Sequence, residues 1–224
     1  VTTPCTTINK VCGSSLKAAM IAATEIRAGV SEVVVVGGME SMTNAPHIAR
    51  NVAKGHDVPF GSLESVLIGD GLKDAFTGES MGNTGETVAE EHGITREESD
   101  KFAVRSHSMA NEAWEKGWIS EEVFPVGSLS IDEGIRPETN KEILSSLRTV
   151  FSEDGQVTAG NASQVSDGAS AVLIASEEKA KREGWPILAK IVGLCHIRSG
   201  VEQSDVRTNT YCQEVVENHW YEIG

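Results

Sequence analysis

The stretch GSSLKAAMIAATEIRAGVSEVVVVGG, residues 13–38, decides the fold class. Residues 13–28 have almost no polar face, which predicts a helix covered on nearly all sides. Ser14 and Ser15 can cap its start, and Gly29 follows its end. The four valines within residues 32–38 do not alternate with polar residues, which is typical of a strand covered on both faces in a parallel sheet. Helix, turn and buried strand together predict a layered α/β fold.

The next part of the chain, residues 39–165, is polar and rich in turns. Thr95 and Glu98 form a capping box before an amphipathic helix that is expected to reach Lys116 and to stop at Gly117. The residues expected on its inner side are Phe102, Val104, Met109 and Ala113. A long excursion of this kind between strands usually carries function.

The last part of the chain returns to buried structure and then changes again. Residues 170–175 predict a second buried strand, and Ser176 and Gly184 bracket a short helix. Residues 187–194 predict a third strand. Residues 196–224 have no sustained period.

Composition excludes several classes of protein. The net charge of −14 over 224 residues argues against nucleic acid and anionic membranes as partners. No run approaches the roughly 20 apolar residues of a membrane-spanning helix. The four cysteines match neither a metal-ligand pair nor a disulfide framework, which favours a reducing, intracellular compartment. Because the chain begins at Val1 without methionine, we expect a processed start or an incomplete sequence.

Cys12, in the run NKVCGSSLKAA, is the candidate nucleophile. It directly precedes the predicted apolar helix, whose first N–H groups have no partner and carry partial positive charge. Thiols in such places ionise more readily, and the thiolate is the reactive form. Gly13 and Ser14 are small, so a substrate can approach closely. The alternative is a small buried cysteine that packs as an apolar residue.

Four stretches resemble the thiolase family. CTTINKVCGSSLKAAMIAA, followed by VVVVGGMESMTNAPH, is similar to the region around its acylated cysteine. LIGDGLKDAFTGESMGNTGETVAEEHGITREESDKFAVRSH looks like the loop domain that covers the coenzyme A site. DEGIRPETNKEILSSLRTVF and DGQVTAGNASQVSDGASAVLI are similar to the segments that return to the core. The resemblance covers residues 1 to about 195.

The resemblance implies a partial thiolase-like α/β fold of α-β-α layers, with an inserted helical loop domain and an incomplete core sheet. Residues 1–38 are then core with the nucleophile, and residues 39–165 are the loop domain. Residues 166–195 return to the core, and residues 196–224 form a divergent tail.

The resemblance also implies the site residues. Cys12 accepts the acyl group, and Leu72 and Met81 border the pantetheine arm and the acyl pocket. The coenzyme A site is completed by Arg136 near the nucleotide end and by Phe151, Ala159 and Ser163 along the pantetheine tunnel, with Ser163 hydrogen-bonded to a pantetheine amide. Coenzyme A is the substrate, and no cofactor or metal is implied. An exposed surface arginine is the alternative for Arg136.

The chain departs from the family pattern at Ser80, where acetoacetyl-CoA thiolases usually have histidine, and at Ile143, where many have serine. Chain-length preference and direction of the reaction therefore stay open. The NEAF-type, GHP and CxGGG-like runs of the family's second half do not occur in the 224 residues. We therefore expect this chain alone to be inactive or nearly so. The remaining candidates are interpreted as structural or incidental: His47, His56, His92, His107, His196, His219, Cys195 and Cys212.

Three functions compete at this point. The first is reversible acyl transfer to and from coenzyme A through an acyl-cysteine, as in relatives that form dimers or tetramers in cytosol, mitochondria or peroxisomes. The second is a non-catalytic acyl-CoA-binding or interaction protein. The third is an unrelated cysteine hydrolase, which would need a histidine partner for Cys12.

Overall fold

The computed structural model describes residues 2–50, 52, 57, 61 and 63–194. The interpretations of Cys195, of His56 and of the segment 196–224 lie outside the described residues. The chain divides after Ala45 and again before Asp167, so that the described residues of Pro46–Ser166 form one compact unit and the described residues on either side form the other. No helix in the described part of the chain is long and apolar enough to cross a bilayer.

The first unit contains α1 (Ser14–Arg27), β1 (Val33–Ser41), β4 (Asp167–Ala175) and α5 (Glu177–Glu183). β1 and β4 pair antiparallel along their whole length, with Val33 opposite Ala175 and Ser41 opposite Asp167. The parallel pairing expected from the valine run is therefore wrong for these two strands. An apolar run without alternation carries no information on strand direction.

α1 packs against β1, and its buried residues are Ala22 and Ala23. The expectation that this helix is covered on nearly all sides is wrong among the described residues, because Leu16 is 71% exposed. The expected serine cap is also wrong. Gly13 occupies the N-cap position, and no side chain caps the helix.

The strands are less buried than the sequence predicts. Val36 is the buried apolar residue of β1, and most of β4 is exposed. The third strand expected over residues 187–194 is not formed, so that prediction is wrong. Those residues have no partner strand in the described part of the chain, and a strand needs one to satisfy its backbone groups. Instead, Nη2 of Arg27 donates to the carbonyl oxygens of Ile191 (3.2 Å) and Val192 (3.3 Å).

The second unit begins with β2 (His47–Ile48) and β3 (Glu64–Ser65), which pair antiparallel, and continues with a π-helical turn over Leu67–Gly71. Its α-helices are α2 (Met81–His92), α3 (Arg96–Glu115) and α4 (Lys141–Ser145).

Local signals at the ends of three helices are confirmed. Thr95 and Glu98 form both hydrogen bonds of the capping box at the start of α3, and Gly117 follows its end with φ of +70°. The same holds for α5, where the hydroxyl of Ser176 accepts from the N–H of Lys179 and Gly184 ends the helix with φ of +68°. Gly29 follows α1 with φ of +71°.

The inner side of α3 differs from the expectation. Asp100 and Ala103 are the buried residues, whereas Phe102 is 67% exposed and Met109 is 53% exposed. A buried carboxylate needs partners. Asp100 accepts from Nε of Arg96 (2.8 Å) and from Nδ2 of Asn161 (2.9 Å). This polar pairing, which the apolar pattern did not reveal, sets the inward face of the helix.

Candidate active site

Cys12 lies in the tight turn that leads into α1 and is exposed. The carbonyl of Lys10 accepts from the N–H of Gly13 (3.0 Å), and the carbonyl of Val11 accepts from the N–H of Ser14 (3.2 Å). The Ser14 hydroxyl accepts from the N–H of Lys10 (2.8 Å) and donates to the carbonyl of Val11 (2.7 Å). Cys12 therefore precedes the N-cap of a helix that has no side-chain cap to neutralise its first N–H groups.

Val11 has φ of +49°, and it is the one described residue other than glycine with positive φ. For a β-branched residue this conformation costs about 1–3 kcal/mol and persists only where neighbouring contacts impose it. Two such contacts are the bond from the Ser14 hydroxyl and the bond that the N–H of Val11 donates to Oδ1 of Asn9 (2.9 Å). Backbone strain of this kind clusters at active sites, and here it adjoins the candidate nucleophile.

Two glycines of β1 allow close approach on both sides. A Cβ at Gly38 would lie 2.9 Å from Cβ of Ser15 in the first turn of α1. A Cβ at Gly37 would lie 2.6 Å from the carbonyl oxygen of Ser170 in β4. The GG pair therefore lets the start of α1, which Cys12 precedes, pack directly on the strand.

The predicted coenzyme A residues all lie in the second unit, where Leu72, Met81 and Phe151 lie near one another. The N–H of Met81 donates to the carbonyl of Leu72 (3.0 Å), which joins the start of α2 to the end of the π-helical turn. The ring of Phe151 lies against the backbone of Gly82, the residue after Met81. Met81 and Phe151 are each 41% exposed, so both present apolar surface that a ligand can cover.

The loop between Leu72 and Met81 is held by Asp74. Its carboxylate accepts from the N–H groups of Thr77 (2.7 Å) and Phe76 (2.8 Å) and from the Thr77 hydroxyl (3.1 Å). These bonds, led by the one from the backbone of Thr77, lower the pKa of Asp74 below its usual value. The ionised carboxylate thus stabilises the turn that brings the two apolar residues together.

The other three predicted residues line a cavity of about 230 Å³. Arg136 contributes the guanidinium, and Ala159 and Ser163 come from the AGNAS turn. The remaining lining residues are His107, Gly160, Ala162, Gln164 and Val165. The cavity therefore combines a cation, a hydroxyl and small side chains, a composition that suits a phosphate-bearing ligand.

A hairpin links Phe151 with the cavity wall at Ala159. The N–H of Val150 donates to the carbonyl of Val157 (3.0 Å), and Thr149 pairs with Thr158. Phe151 follows one arm of this hairpin and Ala159 follows the other. The carboxylate of Glu86 in α2 accepts from the N–H groups of Gln156 (2.7 Å) and Val157 (2.9 Å), which fixes the hairpin to that helix.

Two cavity residues were missed by the sequence reasoning. His107 was interpreted as structural or incidental, and Gln164 was not singled out. Nδ1 of His107 accepts from the N–H of Arg136 (3.2 Å), and Nε2 of Gln164 donates to the carbonyl of Gly134 (2.9 Å). No sequence signal marked His107: it follows Asp100 by seven residues and so lies on the same face of α3, but the apolar pattern did not predict that Asp100 faces inward. No group of three or more His, Cys, Asp or Glu side chains among the residues in the structure could hold a metal ion.

Comparison with known proteins gives consistent results. Residues 1–178 match the family model described as Thiolase, N-terminal domain. The chain is 45% identical over 196 residues to an acetyl-CoA acetyltransferase of Yarrowia lipolytica, covering 84% of this chain and 48% of the relative. It is 44% identical over 197 residues to an acetyl-CoA acetyltransferase of Pseudomonas aeruginosa, covering 84% and 50%.

Solved structures resemble the fold as well. The acetyl-CoA acetyltransferase of Bacillus anthracis superimposes with a TM-score of 0.73 at 38% identity, over 80% of this chain and 47% of that one. A thiolase from Ascaris suum, solved in complex with coenzyme A, superimposes with a TM-score of 0.72 at 38% identity, over 81% and 48%. The chain thus spans about half the length of the curated relatives it matches.

Proposed function

Because this chain belongs to the thiolase family, we propose that it contains the nucleophile and coenzyme A-binding residues of an acetyl-CoA acyltransferase. The observation that carries the proposal is the position of Cys12. It is exposed, it sits in a strained turn, and it directly precedes the uncapped N-terminus of α1. An acyl group needs a nucleophile with free access, and a thiolate needs local positive charge.

Coenzyme A binding is assigned to the second unit. Arg136 takes a phosphate at the nucleotide end, and Ala159 and Ser163 line the path of the pantetheine arm, with Ser163 hydrogen-bonding one of its amides. Leu72, Met81 and Phe151 supply the apolar contacts. The cavity around Arg136 and the adjacency of Leu72 with Met81 support these roles. As in relatives, the functional protein is proposed to be a homodimer or homotetramer.

The reaction proceeds in two half-reactions. In degradation, the sulfur of Cys12 attacks the 3-keto carbon of a 3-ketoacyl-CoA and forms a new C–S bond. The bond between C2 and C3 breaks, its electron pair stays on C2, and C2 takes a proton to give acetyl-CoA. The thiol of free coenzyme A then attacks the acyl-cysteine, which releases the shortened acyl-CoA and restores the Cys12 thiolate. Both tetrahedral adducts need hydrogen-bond donors, and the N–H of Cys12 is one candidate.

Acylation of Cys12 tests the proposal directly. The 224-residue chain incubated with acetyl-CoA is expected to gain one acetyl group, and mass spectrometry of peptides is expected to place it on Cys12. Cys5 is the matched control, since it is also exposed and free but does not precede a helix. A Cys5→Ala variant should be acetylated like the wild type, whereas Cys12→Ala should not be acetylated.

Other outcomes separate the alternatives. Acetyl-CoA binding without acetylation of Cys12 would favour a non-catalytic acyl-CoA-binding protein, and equal labelling of Cys5 and Cys12 would contradict an activated nucleophile. In a thiolysis assay with acetoacetyl-CoA, the chain alone is proposed to turn over poorly. The reason is that the histidine and second cysteine that relatives use for proton transfer have no match in its sequence, and such groups contribute about 10²–10⁴-fold in rate.

A further inference from the structure

Two side chains hold the backbone of the loop that presents Arg136. Nδ1 of His107 accepts from the N–H of Arg136 (3.2 Å), and Nε2 of Gln164 donates to the carbonyl of Gly134 (2.9 Å). A Cβ at Gly134 would overlap the Gln164 side chain, so the amide lies directly on the loop backbone. All but Gly134 of these residues also line the cavity.

The guanidinium of Arg136 is available for a ligand. In the part of the chain that the structure describes, it has no ion pair and no hydrogen bond, and the residue is exposed. By contrast, Arg96 pairs with Asp100 and Arg182 pairs with Glu32. A free guanidinium at a cavity wall is suited to bind a phosphate. It can point at that phosphate consistently only if the backbone that carries the side chain is fixed.

α3 fixes the backbone at both sides of the cavity. Asp100 on its buried face accepts from Nδ2 of Asn161, which belongs to the AGNAS turn. His107 lies two helical turns further on, about 10.5 Å along the same face, and accepts from Arg136. One helix thus sets the positions of both walls of the cavity.

We propose that His107 is a positioning residue for coenzyme A binding: it fixes the backbone of Arg136 so that the guanidinium can take a phosphate of the ligand. The inference rests on the proposed function and extends it to a residue that the family resemblance did not single out. Because Nδ1 accepts a hydrogen bond, the neutral ring bears its proton on Nε2.

A double-mutant cycle measures this role. Isothermal titration calorimetry of the full chain with coenzyme A compares the wild type with His107→Leu, Arg136→Gln and the double variant. Each single change is expected to weaken binding about tenfold, as for the loss of one charge-assisted hydrogen bond. If His107 acts through Arg136, the double variant also loses only about tenfold, because His107 has nothing left to position. A loss of about a hundredfold, the product of independent effects, would overturn the proposal.

His107→Asn is the matched rescue variant, because its side-chain oxygen can accept the same N–H. It is expected to bind coenzyme A within about threefold of the wild type, well short of the tenfold loss for one charge-assisted bond. Circular dichroism of each variant checks that the helices are retained. Weak binding by His107→Asn together with unchanged helix content would count against a role through Nδ1.

Hydrogen exchange separates this inference from the proposed function. The amide of Arg136 should exchange faster in His107→Leu than in the wild type, with His107→Asn close to the wild type, whether or not coenzyme A is present. Unchanged exchange in His107→Leu would overturn the positioning role even if coenzyme A binds. Failure of the wild type to bind coenzyme A would instead overturn the proposed function, while the exchange data would still decide whether His107 holds Arg136.

Discussion

Gly82 and Phe151 are in such close contact that any side chain at position 82 must move the ring. A Cβ at Gly82 would overlap three carbon atoms of the Phe151 ring. The ring is partly exposed, so it can rotate away from position 82. A side chain at position 82 should therefore displace the ring more than it lowers the free energy of unfolding. Since Phe151 is a proposed contact of coenzyme A, displacement of the ring should be felt by the ligand.

Gly82→Ala is therefore expected to weaken coenzyme A binding several-fold. Full burial of one apolar side chain contributes about 1.5–3 kcal/mol of free energy, and a ligand can cover only the exposed part of Phe151. Calorimetric titration measures the effect on coenzyme A binding, and thermal denaturation measures the effect on the stability of the fold. Gly85→Ala in the same helix is the control, since its Cβ would lie an ordinary 3.5 Å from Cγ2 of Val157. This control should gain up to about 1 kcal/mol of stability from helix propensity and leave binding unchanged. Equal binding by both variants would remove Phe151 from the ligand site.

At the residue scale, the sequence predicted which positions to examine but not all of their geometry. Arg136, Ala159 and Ser163, chosen by resemblance, line one cavity. The positive φ of Val11 could not be predicted, because a β-branched residue normally avoids it and the contacts with Asn9 and Ser14 that hold it are formed only in the folded turn. The roles proposed for these residues stay predictions.

At the scale of single elements, α3 depends on its capping box. The carboxylate of Glu98 accepts from the N–H and from the hydroxyl of Thr95, both at 2.8 Å. These bonds, of which the one from the backbone of Thr95 contributes most, lower the pKa of Glu98 below its usual value of about 4.5. Because the pKa is lower in the folded state, this contribution to stability is full above about pH 4.5 and is lost as the pH falls through the folded-state value.

Glu98→Gln is expected to make the stability of α3 less sensitive to acid. The amide oxygen can still accept from the backbone of Thr95 but does not titrate in this range. Urea denaturation followed by circular dichroism at pH 7 and at pH 3.5 should therefore show a smaller drop in unfolding free energy for Glu98→Gln than for the wild type. An identical drop in the two proteins would mean that Glu98 contributes nothing to the acid response.

Elements defined by local chemistry were predictable, and those defined by distant partners were not. The starts of α3 and α5 and the glycines after them follow from signals within a few residues. The direction of β1 against β4 depends on a pairing across more than 120 residues, and the inward face of α3 depends on Asn161. A pattern of apolar residues contains neither piece of information.

At the scale of the whole molecule, the α/β fold class and the thiolase family predicted from the sequence are confirmed by the family match and by the structural similarities. The second unit is an insertion in the first, and its two ends leave the sheet side by side, since Ser41 pairs with Asp167. The carboxylate of Asp167 accepts from the N–H of Thr43 (3.0 Å), from the Thr43 hydroxyl (2.5 Å) and from the Ser41 hydroxyl (3.1 Å). These bonds, of which the one from the Thr43 hydroxyl contributes most, lower the pKa of Asp167 below its usual value.

Asp167→Ala is expected to loosen the point where the insertion leaves the sheet. Hydrogen exchange of the amide of Thr43 should become faster, because its acceptor is removed. Asp167→Asn is the matched control, since it keeps an acceptor oxygen and should exchange at a rate between those of the wild type and the alanine variant. Exchange at Thr43 that does not respond to Asp167→Ala would show that strand pairing alone closes this end.

The adjacency of Ser41 and Asp167 has a consequence for protein engineering. A segment whose ends are anchored at neighbouring sites can be lengthened, shortened or replaced with little change in chain entropy, because closing a loop costs only about 0.6 kcal/mol for each doubling of its length. Chimeras that take Pro46–Ser166 from relatives can therefore be spliced at this site while the turn around Cys12 keeps its own sequence. On the roles proposed for the two units, the same architecture would let natural selection alter ligand preference and nucleophile chemistry as separate traits.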